Sequence, residues 1–238
     1  MESAKGKNIL IVGATGGIGS QAVKLLTGSA ANVFIAGRNR EKLKQVAIEN
    51  KIADDKVFGV NLKDEVSIHY LADEINRQIP QLDILINAAG IGIIKPIENL
   101  SSSEFTNTIQ TNLIGCFLLV KAFLPKMKEA KKGLIINIPG VLGKVPMAGA
   151  VAYSASKYGL VGMMQSIREE IKRTEIRITN IFLGGVDSPF WDEIDLRVQK
   201  EKMIKAEEAA KAIWFLCQQP SNAVISEMVL QPFNHQVI

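Results

Sequence analysis

Short apolar runs rich in β-branched residues recur along the chain, with longer helical stretches between them. The runs are NILIV (8–12), NVFIAG (32–37), KVFGV (56–60), DILINAAG (83–90), GLIINI (133–138) and IRITNIF (176–182). EMVLQPF (227–233) reads as a last strand. The segments between include QAVKLLTG (21–28) and REKLKQVAIEN (40–50), the latter a charged amphipathic helix. A strand with one wet face alternates apolar and polar residues. These runs barely alternate, which suits parallel strands covered by helices on both faces. Such alternation of strand and helix, kept up throughout, predicts one α/β domain over 1–238 with a doubly wound parallel sheet. No linker, charge block or internal repeat divides it. Ligands of such sheets bind beyond the carboxyl ends of the strands, so the residues that follow each apolar run are the informative ones.

The chain has 238 residues, of which 47% are hydrophobic and 22% charged, ordinary for a globular domain with a substantial core. Its longest apolar runs, such as LIGCFLLV (113–120), fall well short of the roughly 20 residues that span a bilayer. MESAKGK leads straight into a strand without a signal-peptide pattern, so a cytoplasmic location without membrane association is expected. Cys116 and Cys217 belong to no metal or redox motif and read as buried, reduced thiols. His69 and His235 neighbour no nucleophile motif, which leaves hydrolase triads little support. The net charge is +4, and its densest patch, KMKEAKKG (126–133), reads as a helix end closed by glycine. No aromatics interleave with those lysines, so nucleic acid is not an expected partner.

After the first strand comes GATGGIG, with Gly13, Gly16, Gly17 and Gly19 around Thr15 and Ile18, opening into a helix. Glycines there allow positive φ and close backbone approach to a phosphate, while the helix start supplies N–H donors. The Rossmann-type spacing differs from plain GxGxxG and resembles the TGxxxGxG pattern of the short-chain dehydrogenase/reductase family, with Val12 in place of the threonine. The resemblance extends along essentially the whole chain. NAAG (87–90, with Asn87, Ala88 and Gly90) is similar to the family's NNAG, which borders the adenine-ribose half of the cofactor. Asn112, in TN (111–112), matches the asparagine that organises a water and proton relay. YSASK (153–157) matches YxxxK. LGGVDSP (183–189) resembles the segment after the sixth strand, with Ser188 in place of its threonine and Gly185 and Val186 beside it near the nicotinamide.

Charge speaks to the cofactor. Dinucleotide folds that take NAD place an acid at the end of the second strand, where it binds the ribose 2′-OH and repels a 2′-phosphate. This chain has Gly37 there, then Arg38 and, two further on, Arg40. A guanidinium fits a phosphate bidentately, so NADP(H) is favoured, through Arg38 rather than Arg40, which reads as helix surface. Asn61, where the family commonly has an aspartate, is a mild change that still offers adenine a hydrogen bond.

Tyrosine is a poor acid at neutral pH. Lys157 lies one helical turn beyond Tyr153, and a cation so placed favours tyrosinate. The resemblance implies that Tyr153 protonates the substrate oxygen as hydride arrives, that Lys157 holds the nicotinamide ribose, and that Asn112 supports Lys157 through water. The family's fourth member is a serine thirteen residues before the tyrosine. Here that position is Gly140, and no Ser or Thr occurs from Asn112 to Ala152. Losing such a donor costs about 10²–10³ in rate, part of which water can restore.

Two readings stay open. One is an NADPH-dependent carbonyl reductase or alcohol dehydrogenase whose second donor is water, a backbone N–H near Gly140, or the substrate. The other is an NADP(H)-binding protein with little or no turnover. Residues 187–205 should form a mobile lid whose Pro189, Phe190 and Trp191 face inward. With Val141, Leu142, Val145, Pro146 and Met147 they suggest an apolar pocket for a hydrophobic ketone or aldehyde. A homodimer or homotetramer is the assembly the resemblance implies, with the last strand contributing.

Overall fold

In a computed structural model, residues 2–192, 194, 196–220 and 222–238 are described. Glu193 and Asp195 of the expected lid therefore lie outside the described residues, as do Met1 and Ser221. Seven parallel strands form one sheet in the order β3-β2-β1-β4-β5-β6-β9. They are β1 (Asn8–Val12), β2 (Asn32–Gly37), β3 (Val57–Gly59), β4 (Ile84–Asn87), β5 (Lys132–Asn137), β6 (Glu175–Leu183) and β9 (Glu227–Leu230). All seven expected strands are present, several shorter than the apolar runs. DILINAAG pairs only as far as Asn87, because Ala88 to Gly90 leave the sheet to border the site.

The two faces of the sheet divide the core. Leu10, Leu85 and Ile135 point toward α3 (Glu65–Gln78), α5 (Gly115–Ala130) and α6 (Val151–Ile171). Ile9, Ile11 and Ile136 point toward α1 (Gly17–Gly28), α2 (Arg40–Glu49) and α7 (Ala206–Leu216). Having wound outward to β3, the chain returns to β4 beside β1, and this reversal opens a crevice beyond the ends of β1 and β4.

Three local features shape that crevice. Helix α1 begins at Gly17, four residues before the apolar pattern starts, so the glycine turn itself forms the helix N-terminus. Helix α4 (Ser102–Ile109) passes into α5 through a π turn at Gln110–Ile114. The resulting 29-residue rod is long and apolar enough to cross a membrane by composition, yet it packs Cys116, Leu119, Phe123 and Met127 into the core. Finally, β7 (Val186–Asp187) pairs with β8 (Ile204–Lys205), fastening both ends of the expected lid.

The lysine-rich helix end differs from the expected glycine stop. Lys131 itself takes the left-handed turn (φ 57°), and Gly133 lies inside β5, where a Cβ would sit 2.8 Å from Met127 Sδ. Core packing, rather than helix termination, requires that glycine. Both cysteines are buried and free.

Candidate active site

The phosphate-binding half is built by the turn after β1. Gly13 has φ 87°, and a Cβ there would lie 2.5 Å from Ala89 N, so the turn presses onto the end of β4. The first turn of α1 contains no acid, and Gly16, its N-cap, offers no side-chain cap. The N–H groups at Gly17, Ile18 and Gly19 thus open a helix whose positive end faces the crevice. Ser188 lies against this turn: a Cβ on Gly17 would be 2.6 Å from Ser188 Cβ. Thr15 sits beneath, its Oγ1 3.7 Å from where Gly37 would carry a Cβ.

Arg38, exposed beyond β2, makes no hydrogen bond or ion pair among the described residues. Arg40 is exposed at the first residue of α2, with its Nε 2.5 Å from the place of a Cβ on Gly59, so the side chain crosses the end of β3. Asn39 between them caps α2, accepting from Lys42 N at 2.9 Å. Asn61 turns its carbonyl oxygen onto Lys63 N (3.1 Å), leaving its amide N–H groups for a ligand. Asn87 is buried, and its Oδ1 has no partner.

Tyr153 and Lys157 stand on the first turns of α6, where Lys157 Nζ lies 5.4 Å from the Tyr153 ring centroid and donates to Ile138 O at 2.9 Å. Burial dominates the titration of both. Lys157 is driven down to about 8, and the apolar walls push the Tyr153 phenol up to about 12. Sequence spacing predicts the reverse for the tyrosine. The ammonium lies over the ring and spends an N–H on a carbonyl, so desolvation wins and Tyr153 stays a protonated phenol at neutral pH.

Asn112 lies within the π turn, with its side chain fully committed. Its Oδ1 accepts from Ile91 N (2.9 Å), and its Nδ2 donates to Ile91 O (2.8 Å) and Ser156 Oγ (3.0 Å). Ser156 Oγ in turn donates to Tyr153 O at 2.7 Å. Asn112 therefore braces the loop after β4 against α6, with its Oδ1 and Lys157 Nζ lying 3.3 and 3.5 Å from the place of a Cβ on Gly90. Ser156 carries this link from an unspecified position of the YxxxK motif, one turn beyond Tyr153.

Gly140 departs furthest from expectation. It is more than a position lacking a hydroxyl, for its backbone has φ 68° and ψ 173°, a conformation almost confined to glycine. A Cβ there would lie 3.4 Å from Leu183 O, at the end of β6, and neither Tyr153 nor any other residue beyond its chain neighbours would come within 4 Å of it. The Gly140 amide makes no hydrogen bond among the described residues.

Of the expected site residues, Gly16–Gly19, Ala88, Gly90, Gly185, Val186 and Ser188 line one cavity of about 720 Å³ together with Gly140, Tyr153 and Lys157, whereas Gly13, Thr15, Arg38, Asn61, Asn87 and Asn112 are not among its lining residues. Val141, Leu142, Val145, Pro146 and Met147 line it as expected. Phe190 enters from the lid, its ring 5.7 Å from that of Tyr153 and closely packed on Gly92, while Trp191 Nε1 donates to Val186 O at 2.9 Å. His235, far along the chain from every motif, also lines the cavity. His69 stands apart on the surface of α3, beside Glu65. The described residues bring together no group of His, Cys, Asp and Glu suited to a metal ion.

A doubly wound sheet with a glycine turn at the β1–β4 switch and a Tyr-Lys pair across the crevice defines a dinucleotide-dependent oxidoreductase architecture. The chain belongs to the short chain dehydrogenase family, whose sequence profile matches residues 7–199. Its relatives include an uncharacterized oxidoreductase of Staphylococcus epidermidis, 27% identical over 232 residues that cover 98% of this chain and all of the relative. The 3-oxoacyl-(acyl-carrier-protein) reductase of Aquifex aeolicus is 30% identical over 237 residues, covering 94% of this chain and 95% of that one. Among solved structures, a metagenomic short-chain oxidoreductase in complex with NADP is 30% identical, with a TM-score of 0.83 over 97% of this chain and 99% of its own.

Proposed function

We propose that this protein is an NADPH-dependent reductase of hydrophobic ketones or aldehydes, with Tyr153 as proton donor. The observation that carries this reading is the single cavity joining the uncapped start of α1 to the Tyr153–Lys157 pair. The glycine turn fits a pyrophosphate, and Arg38, free of partners, fits a 2′-phosphate. Asn61, Asn87, Ala88 and Gly90 would border the adenine-ribose half, Lys157 the nicotinamide ribose, and Gly185, Val186 and Ser188 the carboxamide. NADPH, when bound, supplies a hydride to the carbonyl carbon.

Tyr153 Oη then gives its proton to the carbonyl oxygen, turning the developing alkoxide into an alcohol. Its raised pKa keeps that proton in place until a stronger base forms beside it. Lys157, held by Ile138 O, stabilises the tyrosinate left behind. The unpartnered Gly140 N–H supplies the second hydrogen bond to the substrate oxygen, where the family resemblance implies a serine hydroxyl. Phe190 and the apolar residues after β5 exclude water. The exposed Ile114, Phe117, Val151 and Tyr158, on or beside α5 and α6, are the surface we assign to a homodimer or homotetramer.

The test is a screen of aliphatic and aromatic carbonyls for NADPH oxidation, with the natural protein and Tyr153→Phe. Turnover should fall by about 10²–10⁴ in the variant while NADPH affinity holds. Turnover indifferent to Tyr153 refutes the mechanism. Tight NADPH binding without turnover on any carbonyl favours the cofactor-binding reading.

A further inference from the structure

The cavity walls are almost wholly apolar. Among the described residues that line it, only Tyr153, Lys157 and His235 carry titratable side chains. Tyr153 belongs to the reacting carbonyl, and Lys157 is committed to Ile138 O. His235 is the one lining side chain with a strong polar group and no assigned task, since it makes no side-chain hydrogen bond among the described residues.

Its presence follows from how the tail beyond β9 is folded. Gly184 N donates to Leu230 O (2.8 Å), carrying the β6–β9 pairing one residue past the strand. Directly after this, Pro232 crosses Gly184 so closely that a Cβ on Gly184 would lie 2.7 Å from Pro232 Cδ. His235 N donates to Pro232 O at 3.0 Å, closing a turn that reverses the chain. The Gln231 side chain then clamps the returning segment, accepting from Val237 N (2.7 Å) and Ile238 N (3.3 Å) and donating to Ile238 O (3.2 Å). The result is a hook that places His235 and Val237 on the cavity wall beside the lid. A glycine at 184 is what lets the hook seat there.

We infer that His235, solvent-exposed at the cavity wall, is a specificity residue that binds an anionic group, a carboxylate, on a part of the substrate other than its reacting carbonyl. An imidazole ring N–H donates to a carboxylate in either protonation state, and of the other donors lining the cavity Lys157 and Trp191 are committed to Ile138 O and Val186 O while Tyr153 and Ser188 are assigned to the carbonyl and the cofactor. The substrate class is therefore an oxo acid whose carbonyl and carboxylate are separated by an apolar spacer. This rests on the reductase reading for which end of the substrate reacts, though binding at His235 does not depend on turnover.

The matched probes are 7-oxooctanoate and 2-octanone, which differ only in carboxylate for methyl at the far end. The natural protein should favour the oxo acid by roughly tenfold in kcat/KM, the worth of one charge-assisted hydrogen bond at a partly exposed site. His235→Ala should erase the preference by raising KM for the oxo acid, leaving its kcat, both constants for 2-octanone and NADPH affinity unchanged. His235→Gln, which keeps a donor, should recover part of it. Binding of both probes to the NADP⁺-loaded protein, followed by tryptophan fluorescence, gives the same comparison without catalysis. If the natural protein shows no preference for the oxo acid, or His235→Ala retains it, the assignment is overturned. A binding preference lost in His235→Ala without turnover of either probe would refute the reductase reading and uphold the carboxylate site.

Discussion

Placing serine at position 140 would supply the hydroxyl that the family resemblance implies there, and the geometry predicts that it would not help. Gly140 has φ 68° and ψ 173°. A residue with a Cβ held in that region costs about 1–3 kcal/mol, and for a domain of this size that lowers Tm by roughly 2–10 °C. Crowding adds little, since the only near atom is Leu183 O at 3.4 Å. The serine Cβ would aim its hydroxyl at that carbonyl, away from the substrate oxygen. Alanine and serine at 140 should therefore lose stability alike, and serine should gain nothing in kcat over alanine. Thermal unfolding, together with steady-state NADPH oxidation of both variants, separates backbone strain from hydroxyl chemistry. A Gly140→Ser protein as stable as the parent, with kcat ten times that of Gly140→Ala, would show that the backbone relaxes freely and that the reasoning from φ is wrong.

Arg38→Ala should reduce the preference for NADPH over NADH by about tenfold or more, read from fluorescence titration with each cofactor. Removing the Asn112 side chain leaves Ile91 N, Ile91 O and Ser156 Oγ without their partner, so Asn112→Ala should cost about 2–3 kcal/mol in urea unfolding. Lys157, at about 8 against an ordinary 10.5, binds fewer protons folded than unfolded between those values. Lys157 by itself should therefore add about 1 kcal/mol of stability from pH 8 to 9, read as the difference in slope between the natural protein and Lys157→Met. Cys116 and Cys217, raised from 9 to about 12, oppose that rise over the same interval, and Tyr153 joins them above pH 10, because there the folded state is the one holding more protons.

What the sequence made legible follows from local chemistry. Strands covered on both faces must be apolar throughout, so each apolar run marks a strand, and the residues behind the runs mark the site. The places of Gly13, Arg38, Tyr153 and Lys157 are legible because the first two follow apolar runs and the other two stand one helical turn apart, while the phosphate and acid-base roles assigned to them remain proposals. The sign of φ at Gly140 was not readable, since a glycine permits a left-handed backbone without demanding one. Nor was the balance at Tyr153, where spacing reports the nearby cation but not the desolvation that outweighs it. Arg40 crossing Gly59 and His235 reaching the cavity depend on contacts between distant segments, which no local pattern encodes.

Because a π turn holds one residue more than the α turn it replaces, Gln110–Ile114 sets the phase of everything after it. From Gly115 on, the helix is rotated by about 100° from the course α4 alone would give it. With that offset, Asn112 meets Ile91 and Ser156 while Cys116, Leu119 and Phe123 meet the core. Deleting a single residue here would let the turn close to an ordinary α turn, with Cys116, Leu119 and Phe123 still facing the core, and would remove the widened turn that holds Asn112. The extra residue therefore serves the crevice rather than the core.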